Sequence, residues 1–402
     1  CYGTWIQVLK EAGYLELNGF VFKASLLDEK TAKLITFFVP YLMLPIVWNL
    51  CSFSKGYVVP KIFISAVFIV GTVGGLNRFV ISSYCRESKA IAKSPLMAGI
   101  FSSTFVWCWI VWCYNVVSTS FFKTFFSNVF VGVMILTIGA TFYKAMFMNP
   151  GYVPTPSNNN IILDLVVTLI EEGKYSVSTF SIDSYVRKPL RLHYSRPSKQ
   201  LVAKFDHYCP WIYNDVGVRN HKLFLTFVYA LVVGIILFTK VSLKFFHEYE
   251  GGPSSGYDSD KEENQCFLLS DNLCLGYTYN SFHFNLLMFV LLQFVWILFL
   301  AMTQTFQILK GLTTYEFTNI GRGSSLTNPG DPHKHSHANG CNTTLKLLGL
   351  DQLGHTLKLS GSLVGHAQND QNSPGDIPTD YGWKINWLDF WILGELNWRN
   401  VF

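Results

Sequence analysis

The chain has 402 residues, of which 50% are hydrophobic, 16% aromatic and only 14% charged, whereas a soluble globular domain carries nearer a quarter charged residues. Its net charge is a modest +5, and no basic face with interleaved stacking aromatics occurs, so there is no nucleic-acid signature. Apolar runs of about 20 residues, enough to cross a hydrocarbon core of roughly 30 Å, recur along the chain and predict an all-α polytopic membrane protein.

The chain opens on Cys1, with no basic stub, short apolar core and small-residue cleavage site. It reads as a segment of a longer protein whose upstream part precedes a lead-in at residues 1–33. Six apolar spans follow, at 34–53, 60–81, 95–117, 125–147, 222–244 and 281–303. Pro40 and Pro45 would kink the first, which a bundle tolerates. Arg78, near the end of the second, would snorkel to the interface.

An even number of spans puts both ends on one side, and the distribution of Lys and Arg chooses it. The loop after span two holds Arg86, Lys89 and Lys93. The long loop 148–221 holds Lys174, Arg187, Lys188, Arg191, Arg196, Lys199, Lys204 and Arg219. The loop after span three offers only Lys123, and the loop after span five is acidic through Glu248, Glu250, Asp258, Asp260, Glu262 and Glu263. The N-terminus, the long loop and the tail are therefore expected in the cytosol.

Polar, Gly/Ser-rich linkers occupy 251–265, 321–340 and 360–379. The alternating His333, His335 and His337 read more simply as a polar tract than as a metal site. The sequon at Asn342 falls on the cytosolic side, where it would not be used. Of the nine cysteines, Cys51, Cys108 and Cys113 lie in apolar runs and read as small buried hydrophobes. Cys266 and Cys274 would face an oxidising lumen and could pair. No CxxC pair exists, which excludes a zinc ribbon or a thioredoxin-like motif.

The stretch KFDHYCPWIYNDVGVRNHKLFL, residues 204–225, sets Asp206, His207 and Cys209 together just before span five. A thiol becomes a good nucleophile once an imidazole takes its proton. A carboxylate beside that imidazole fixes its tautomer and stabilises the imidazolium. On residue types alone, chance proximity in a loop is the simpler reading. The membrane edge and the surrounding cations favour chemistry on an acidic, lipid-bearing carrier, although basic residues flanking a span need no function.

These residues resemble the core of the DHHC-type protein S-acyltransferases, DHYCPW being followed by Asn214, Val216-Gly217 and Asn220-His221. The DHYC form is similar to the fungal ankyrin-repeat branch. Asn149-Pro150-Gly151 resembles the family's Asp-Pro-Gly motif, and Thr313-Thr314-Tyr315-Glu316 its TTxE motif. Asn386 with Phe390, in GWKINWLDFW, resembles its aromatic-Asn motif, and RKPLRLHYS at 187–195 its KPxRxHHC run. The resemblance implies six transmembrane helices with a cytosolic catalytic loop between spans four and five. It divides the chain into the lead-in 1–33 after an upstream ankyrin region, spans one to four at 34–147, the DHYC domain at 148–221, spans five and six at 222–303, and a cytosolic tail at 304–402.

The resemblance also implies the chemistry. Cys209 would take palmitate from palmitoyl-CoA as a thioester and pass it to cysteine thiols of cytosolic-side substrate proteins. His207 would be the general base and Asp206 its orienting partner, supported by Thr313 or Thr314, with Asn386 supporting the site from the tail. Trp211 would line the start of an acyl cavity, and Arg187, Lys188 and Arg191 would meet the CoA phosphates. Golgi or endosomal membranes are the implied location. A catalytically inactive membrane adaptor acting through its ankyrin region is the alternative.

The family's cysteine-rich domain holds two zinc ions through six Cys and two His. Gap-free alignment on Lys188-Pro189 and DHYC puts Ser181, Ser184, Ser195, Ser198, Leu201 and Asp215 at the Cys positions, and Tyr194 and Tyr208 at the His positions. None can build the thiolate and imidazole sites of structural zinc, so no bound zinc is expected. Packing by Tyr194, Leu201, Phe205 and Tyr208 is expected to replace it.

Overall fold

The structure, a computed structural model, describes residues 14–17, 20–23, 28–50, 58–84, 93–118, 125–153, 164, 167–168, 170–172, 180–181, 186–187, 191–249, 280–320 and 381–393. The three polar linkers, the His333–His337 tract, Asn342, Cys266, Cys274, Lys188 and Ser184 lie outside the described residues, as do the side chains of Arg187 and Ser181. Six helices are long and apolar enough to cross a membrane: Glu29–Leu50, Phe63–Tyr84, Leu96–Val117, Phe125–Phe147, His221–His247 and Ser281–Leu309. The first starts earlier than its apolar run. A Glu29–Lys33 ion pair at (i, i+4), 2.7 Å long, supports the polar turn ahead of it.

In chain order the elements are β1 (Tyr14–Leu17) and β2 (Phe20–Lys23), α1 (Glu29–Leu50), α2 (Val58–Gly75), α3 (Leu96–Val111) and α4 (Phe125–Phe147). Then come β3 (Phe180–Ser181), β4 (Val186–Arg187), β5 (Leu192–Ser195), β6 (Gln200–Ala203), β7 (His207–Cys209) and β8 (Asn214–Val216). The last are α5 (His221–Tyr249), α6 (Ser281–Leu309), α7 (Thr314–Ile320) and α8 (Trp383–Leu388). The chain divides into two compact units: Cys1–Leu136, Pro210–Tyr213 and Val233–Val295 form one, and Thr137–Cys209, Asn214–Val232 and Trp296–Phe402 the other.

In the first unit α1 keeps both prolines inside the helix. Pro45 has no N–H for the carbonyl one turn back, that of Tyr41. The indole of Trp107 donates to that oxygen at 3.3 Å, so a neighbouring helix satisfies what the proline frees. Gly99 lets α3 approach α1 closely, since a Cβ there would fall 2.2 Å from the Phe37 carbonyl oxygen. Ser103 donates to the Pro40 carbonyl at 3.1 Å on the same interface. Such small-residue contacts replace the hydrophobic drive that lipid removes. His283, fully buried, bonds Ser242 at 2.9 Å and Asn115 at 3.3 Å.

The second unit corrects the all-α expectation, for the chain is mostly helical with short antiparallel hairpins. Pro189, Pro197 and Pro210 interrupt this stretch, and Arg191, Lys199 and Lys204 take positive φ, which a helix does not accommodate. β5 pairs with β6, and β7 with β8, placing Tyr208 opposite Asp215 and Cys209 opposite Asn214. Leu192, Leu201 and Ala203 form a buried core that Val153, Tyr194 and Val218 pack against.

Two glycines allow the strands to meet the segment leaving α4. Gly151 has φ 113°, and its Cβ would lie 2.7 Å from a Val218 methyl. At Gly217 a Cβ would lie 2.6 Å from a Val202 methyl and 2.7 Å from the Pro150 carbonyl. The Asn149-Pro150-Gly151 motif is thus a docking turn. Asn149 Oδ1 accepts the Gly151 and Tyr152 amides, each at 2.8 Å, and Tyr152 bridges to Val202 on β6.

Candidate active site

Asp206 precedes β7, and its amide donates to the Val216 carbonyl at 2.9 Å, extending the β7–β8 ladder. Its carboxylate is 1% exposed and ringed by donors. Oδ1 accepts the Thr314 amide at 2.7 Å. Oδ2 accepts from His207 Nδ1 at 2.6 Å, the Thr314 hydroxyl at 2.9 Å and Gln304 Nε2 at 3.3 Å. His221 Nε2 lies 4.0 Å from Oδ1 and bonds the Gln304 carbonyl oxygen at 3.1 Å.

Burial opposes ionisation of Asp206. The His221 charge, the hydrogen bond and charge of His207, and the Thr314 amide overcome it and hold the carboxyl well below the usual carboxylate range. Burial likewise disfavours the His207 imidazolium, but the bonds to Asp206 and Cys209 and their charges raise it to about 10. Nδ1 is committed to Asp206, so Nε2 is the nitrogen free to exchange a proton. Cys209 is a free thiol, 4% exposed. Asp206 and His207 therefore form a bonded carboxylate–imidazole pair, and Cys209, two residues on in β7, lies on the same face of the strand as His207.

The support around it explains the other motifs. Thr313 and Glu316 form a reciprocal capping box at the start of α7, the Thr313 amide donating to Glu316 at 2.8 Å and the Glu316 amide to Thr313 Oγ1 at 3.3 Å. That cap places Thr314, one residue on, against Asp206. Thr314 rather than Thr313 makes the contact. Arg191 clamps the cap from outside, with Nε and Nη2 each 2.7 Å from a Glu316 oxygen and Nη2 donating to the Gly311 carbonyl at 3.1 Å. Its guanidinium is thus engaged in a bidentate pair inside the protein.

Asn386 donates to the Leu309 carbonyl at 2.8 Å and accepts the Tyr381 amide at 3.1 Å, closing the C-terminal end of α6. Phe390 packs with Leu225 and Ile308 and meets the His221 ring edge-on at 5.0 Å. Asn220 donates to the Asp215 carbonyl at 2.8 Å and accepts the Gly217 amide at 2.9 Å, tying β8 to the start of α5. Trp211, half-buried, sits in the turn after Cys209. Gln304 and Gln307 are contributions that the sequence reading missed. Gln304 bridges His221 to Asp206 and donates to Thr314 at 2.8 Å, and Gln307 lies 2.9 Å from the Thr314 hydroxyl.

At the positions where the family carries zinc ligands, the side chains do not fit the metal. Leu201 is fully buried in the apolar core. Both Asp215 oxygens already accept hydroxyls, Oδ1 from Ser195 at 2.6 Å and Oδ2 from Tyr152 at 3.2 Å. A lone carboxylate among hydroxyls lacks the thiolates and imidazoles of a structural zinc site.

Residues 175–321 match the DHHC palmitoyltransferase family. The palmitoyltransferase AKR1 of Debaryomyces hansenii is 47% identical over 426 aligned residues, which cover 100% of this chain and 51% of that protein. The protein of the same name from Candida albicans is 43% identical over 100% of this chain and 54% of its own length. That of Saccharomyces cerevisiae is 31% identical over 98% and 56%. The chain spans about half the length of these curated relatives. This match lies over the DHYC segment in which the Asp206 carboxylate and the His207 imidazole are joined, so residues 175–321 carry a DHHC palmitoyltransferase domain.

Proposed function

We propose that this protein is a protein-cysteine S-acyltransferase that carries palmitate from palmitoyl-CoA to substrate thiols through a thioester on Cys209. The observation that carries this reading is the Asp206–His207 pair, His207 Nδ1 being bonded to Asp206 at 2.6 Å, with Cys209 on the same strand face as His207. The imidazolium that Asp206 stabilises holds the Cys209 proton on His207 Nε2, leaving the thiolate as the nucleophile. The thiolate attacks the acyl carbonyl of palmitoyl-CoA, the carbon–sulfur bond to CoA breaks, and the imidazolium proton goes to the departing CoA thiolate. In the second half His207 deprotonates a substrate cysteine, whose thiolate attacks the Cys209 thioester and releases Cys209 as the thiol. Bonds formed and broken are alike in each half, so the protein's contribution is activation and positioning.

Thr314 and Gln304 act through Asp206 as positioning residues. Arg187 and Lys188 remain the phosphate contacts on this reading. Arg191 is assigned instead to the Glu316 clamp, because its Nε and Nη2 are engaged there. Trp211, in the turn after the nucleophile, would border the acyl chain. The domain works without zinc, since the side chains at the family's ligand positions do not suit it. The distribution of Lys and Arg supports a loop and termini on the cytosolic face, the implied location being Golgi or endosomal membrane.

The test is incubation of the purified protein with a labelled palmitoyl-CoA analogue. A hydroxylamine-sensitive label on the wild type that disappears in Cys209→Ala supports the enzyme. Folded wild type that takes no label would instead support the inactive adaptor.

A further inference from the structure

Four of the positions that hold zinc ligands elsewhere in the family meet in one place. Ser195 ends β5, Ser198 follows it in the turn to β6, and Tyr208 and Asp215 face each other across β7 and β8. Asp215 and Ser195 are 0% and 1% exposed. Their side chains are joined at 2.6 Å, and Tyr152, from the segment leaving α4, reaches the second carboxylate oxygen at 3.2 Å. Tyr152 also lies 3.4 Å from Asn214 Oδ1. The neighbouring Asn214 amide closes the end of α4 by donating to the Ala145 and Met148 carbonyls at 2.9 and 2.8 Å.

One carboxylate therefore joins three pieces of chain that share no local sequence: β5, β8 and the turn after α4. A structural metal does the same by gathering ligands from separate strands. Here two of those positions, Ser195 and Asp215, carry groups that bond each other, and Tyr152 from the turn after α4 supplies a second hydroxyl. A buried carboxylate is tolerated only when such partners accept its burial. The Ser195 hydroxyl donates to Asp215 Oδ1, and the Tyr152 hydroxyl lies nearer Asp215 Oδ2 than Asn214 Oδ1. Asn214 lies opposite Cys209 in the β7–β8 register, so fastening β8 fastens the hairpin that carries the nucleophile.

We propose that Asp215, with Ser195 and Tyr152, is a metal-free staple that has taken over the position and the fold-holding role of a zinc site. The proposal draws on the acyltransferase reading only for the role of Cys209. Its test is a thermal midpoint measured without any acyl donor.

The full chain is reconstituted in lipid nanodiscs, and unfolding is followed for wild type, Asp215→Ala, Ser195→Ala, Tyr152→Phe and the Ser195→Ala/Tyr152→Phe pair. The wild-type midpoint should be unmoved by a zinc chelator. Asp215→Ala should lower it by roughly 5 °C, and each hydroxyl deletion by less. With the carboxylate gone, adding Ser195→Ala should cost almost nothing more, because its partner is already absent. Should Asp215→Ala fail to fold, the single hydroxyl deletions carry the test. Both lower the midpoint if the staple exists, and the pair departs from additivity because the two hydroxyls share one carboxylate.

A wild-type midpoint that falls on chelation, near-stoichiometric zinc by elemental analysis, or hydroxyl deletions without effect would overturn the staple. Chelator-insensitive, coupled midpoints in a protein that takes no acyl label would leave the staple standing and overturn the acyltransferase reading.

Discussion

Asp206 and Asp215 share a strand pair, a side-chain type and near-complete burial, at 1% and 0% exposure, yet their surroundings drive them apart. Asp206 is met by an amide, a hydroxyl, a carboxamide and two imidazoles, and is held ionised. Asp215 accepts hydrogen bonds from the Ser195 and Tyr152 hydroxyls, with the His207 charge acting on it from further away. Burial pushes its carboxyl above the usual range, partly offset by Ser195, Ser198 and Tyr152, and burial together with Asp215 pushes the Tyr152 phenol up to about 12. The lesson is that burial does not decide what a carboxylate does; the donor set does. Bonded to the raised His207 imidazole, the Asp206 carboxylate is placed to orient the proposed base, whereas Asp215, bonded by hydroxyls, ties strands together.

The comparison breaks most visibly at His207. Replacing it with alanine removes the proposed base beside Asp206, and thioester formation on Cys209 should slow by about 10²–10⁴-fold in single-turnover labelling. Arg191→Ala is next. It leaves Glu316 as a largely buried, unpaired charge and should cost about 3–5 kcal/mol, read as a strongly lowered midpoint with Arg191→Lys falling between. Thr314→Val keeps the amide on Asp206 but deletes the hydroxyl. A bond to a charged group contributes about 1.5–3 kcal/mol, so the acylation rate should drop roughly tenfold to a hundredfold, and Thr314→Ser should restore it.

The smallest effect is on pH. His207 is raised to about 10 in the fold, above an ordinary value near 6.5. Its contribution to stability is fully present below about 6.5 and is lost as pH rises towards 10. The lowered Asp206 contributes above its unfolded value and is lost only as pH falls through the folded one. The midpoint should therefore decline between about pH 6.5 and 10, and His207→Ala should flatten that decline. Asp215→Asn should leave it in place.

Much of the proposed catalytic group was legible because Asp206, His207 and Cys209 lie within four residues and the flanking spans are long and apolar. The six spans likewise stood out by hydropathy, with ends displaced by a few residues. What stayed hidden depends on partners far apart in sequence. Gln304 meets Asp206 across 98 residues, and inside an apolar run it gave no periodic signal. Arg191 was expected at the CoA phosphates because charge is visible in sequence, whereas its pairing with Glu316, 125 residues on, is not. At the vacated ligand positions, the packing expected of Tyr194 and Leu201 is present in the core. The bond between Ser195 and Asp215 was not foreseen, since a serine and an aspartate each read as a lost cysteine. The hairpins were missed because strands of three or four residues are too short for a reliable alternation.

The most direct measurement sets the two aspartates side by side. Single-turnover formation of the Cys209 thioester is timed in Asp206→Asn and Asp215→Asn, each below its unfolding temperature. Asp206→Asn should lose on the order of 10⁴-fold in rate, as an orienting carboxylate does when its amide holds the wrong tautomer, while Asp215→Asn should stay within about tenfold of wild type. Equal losses in the two variants, or a fast Asp206→Asn, would contradict the division of labour between them.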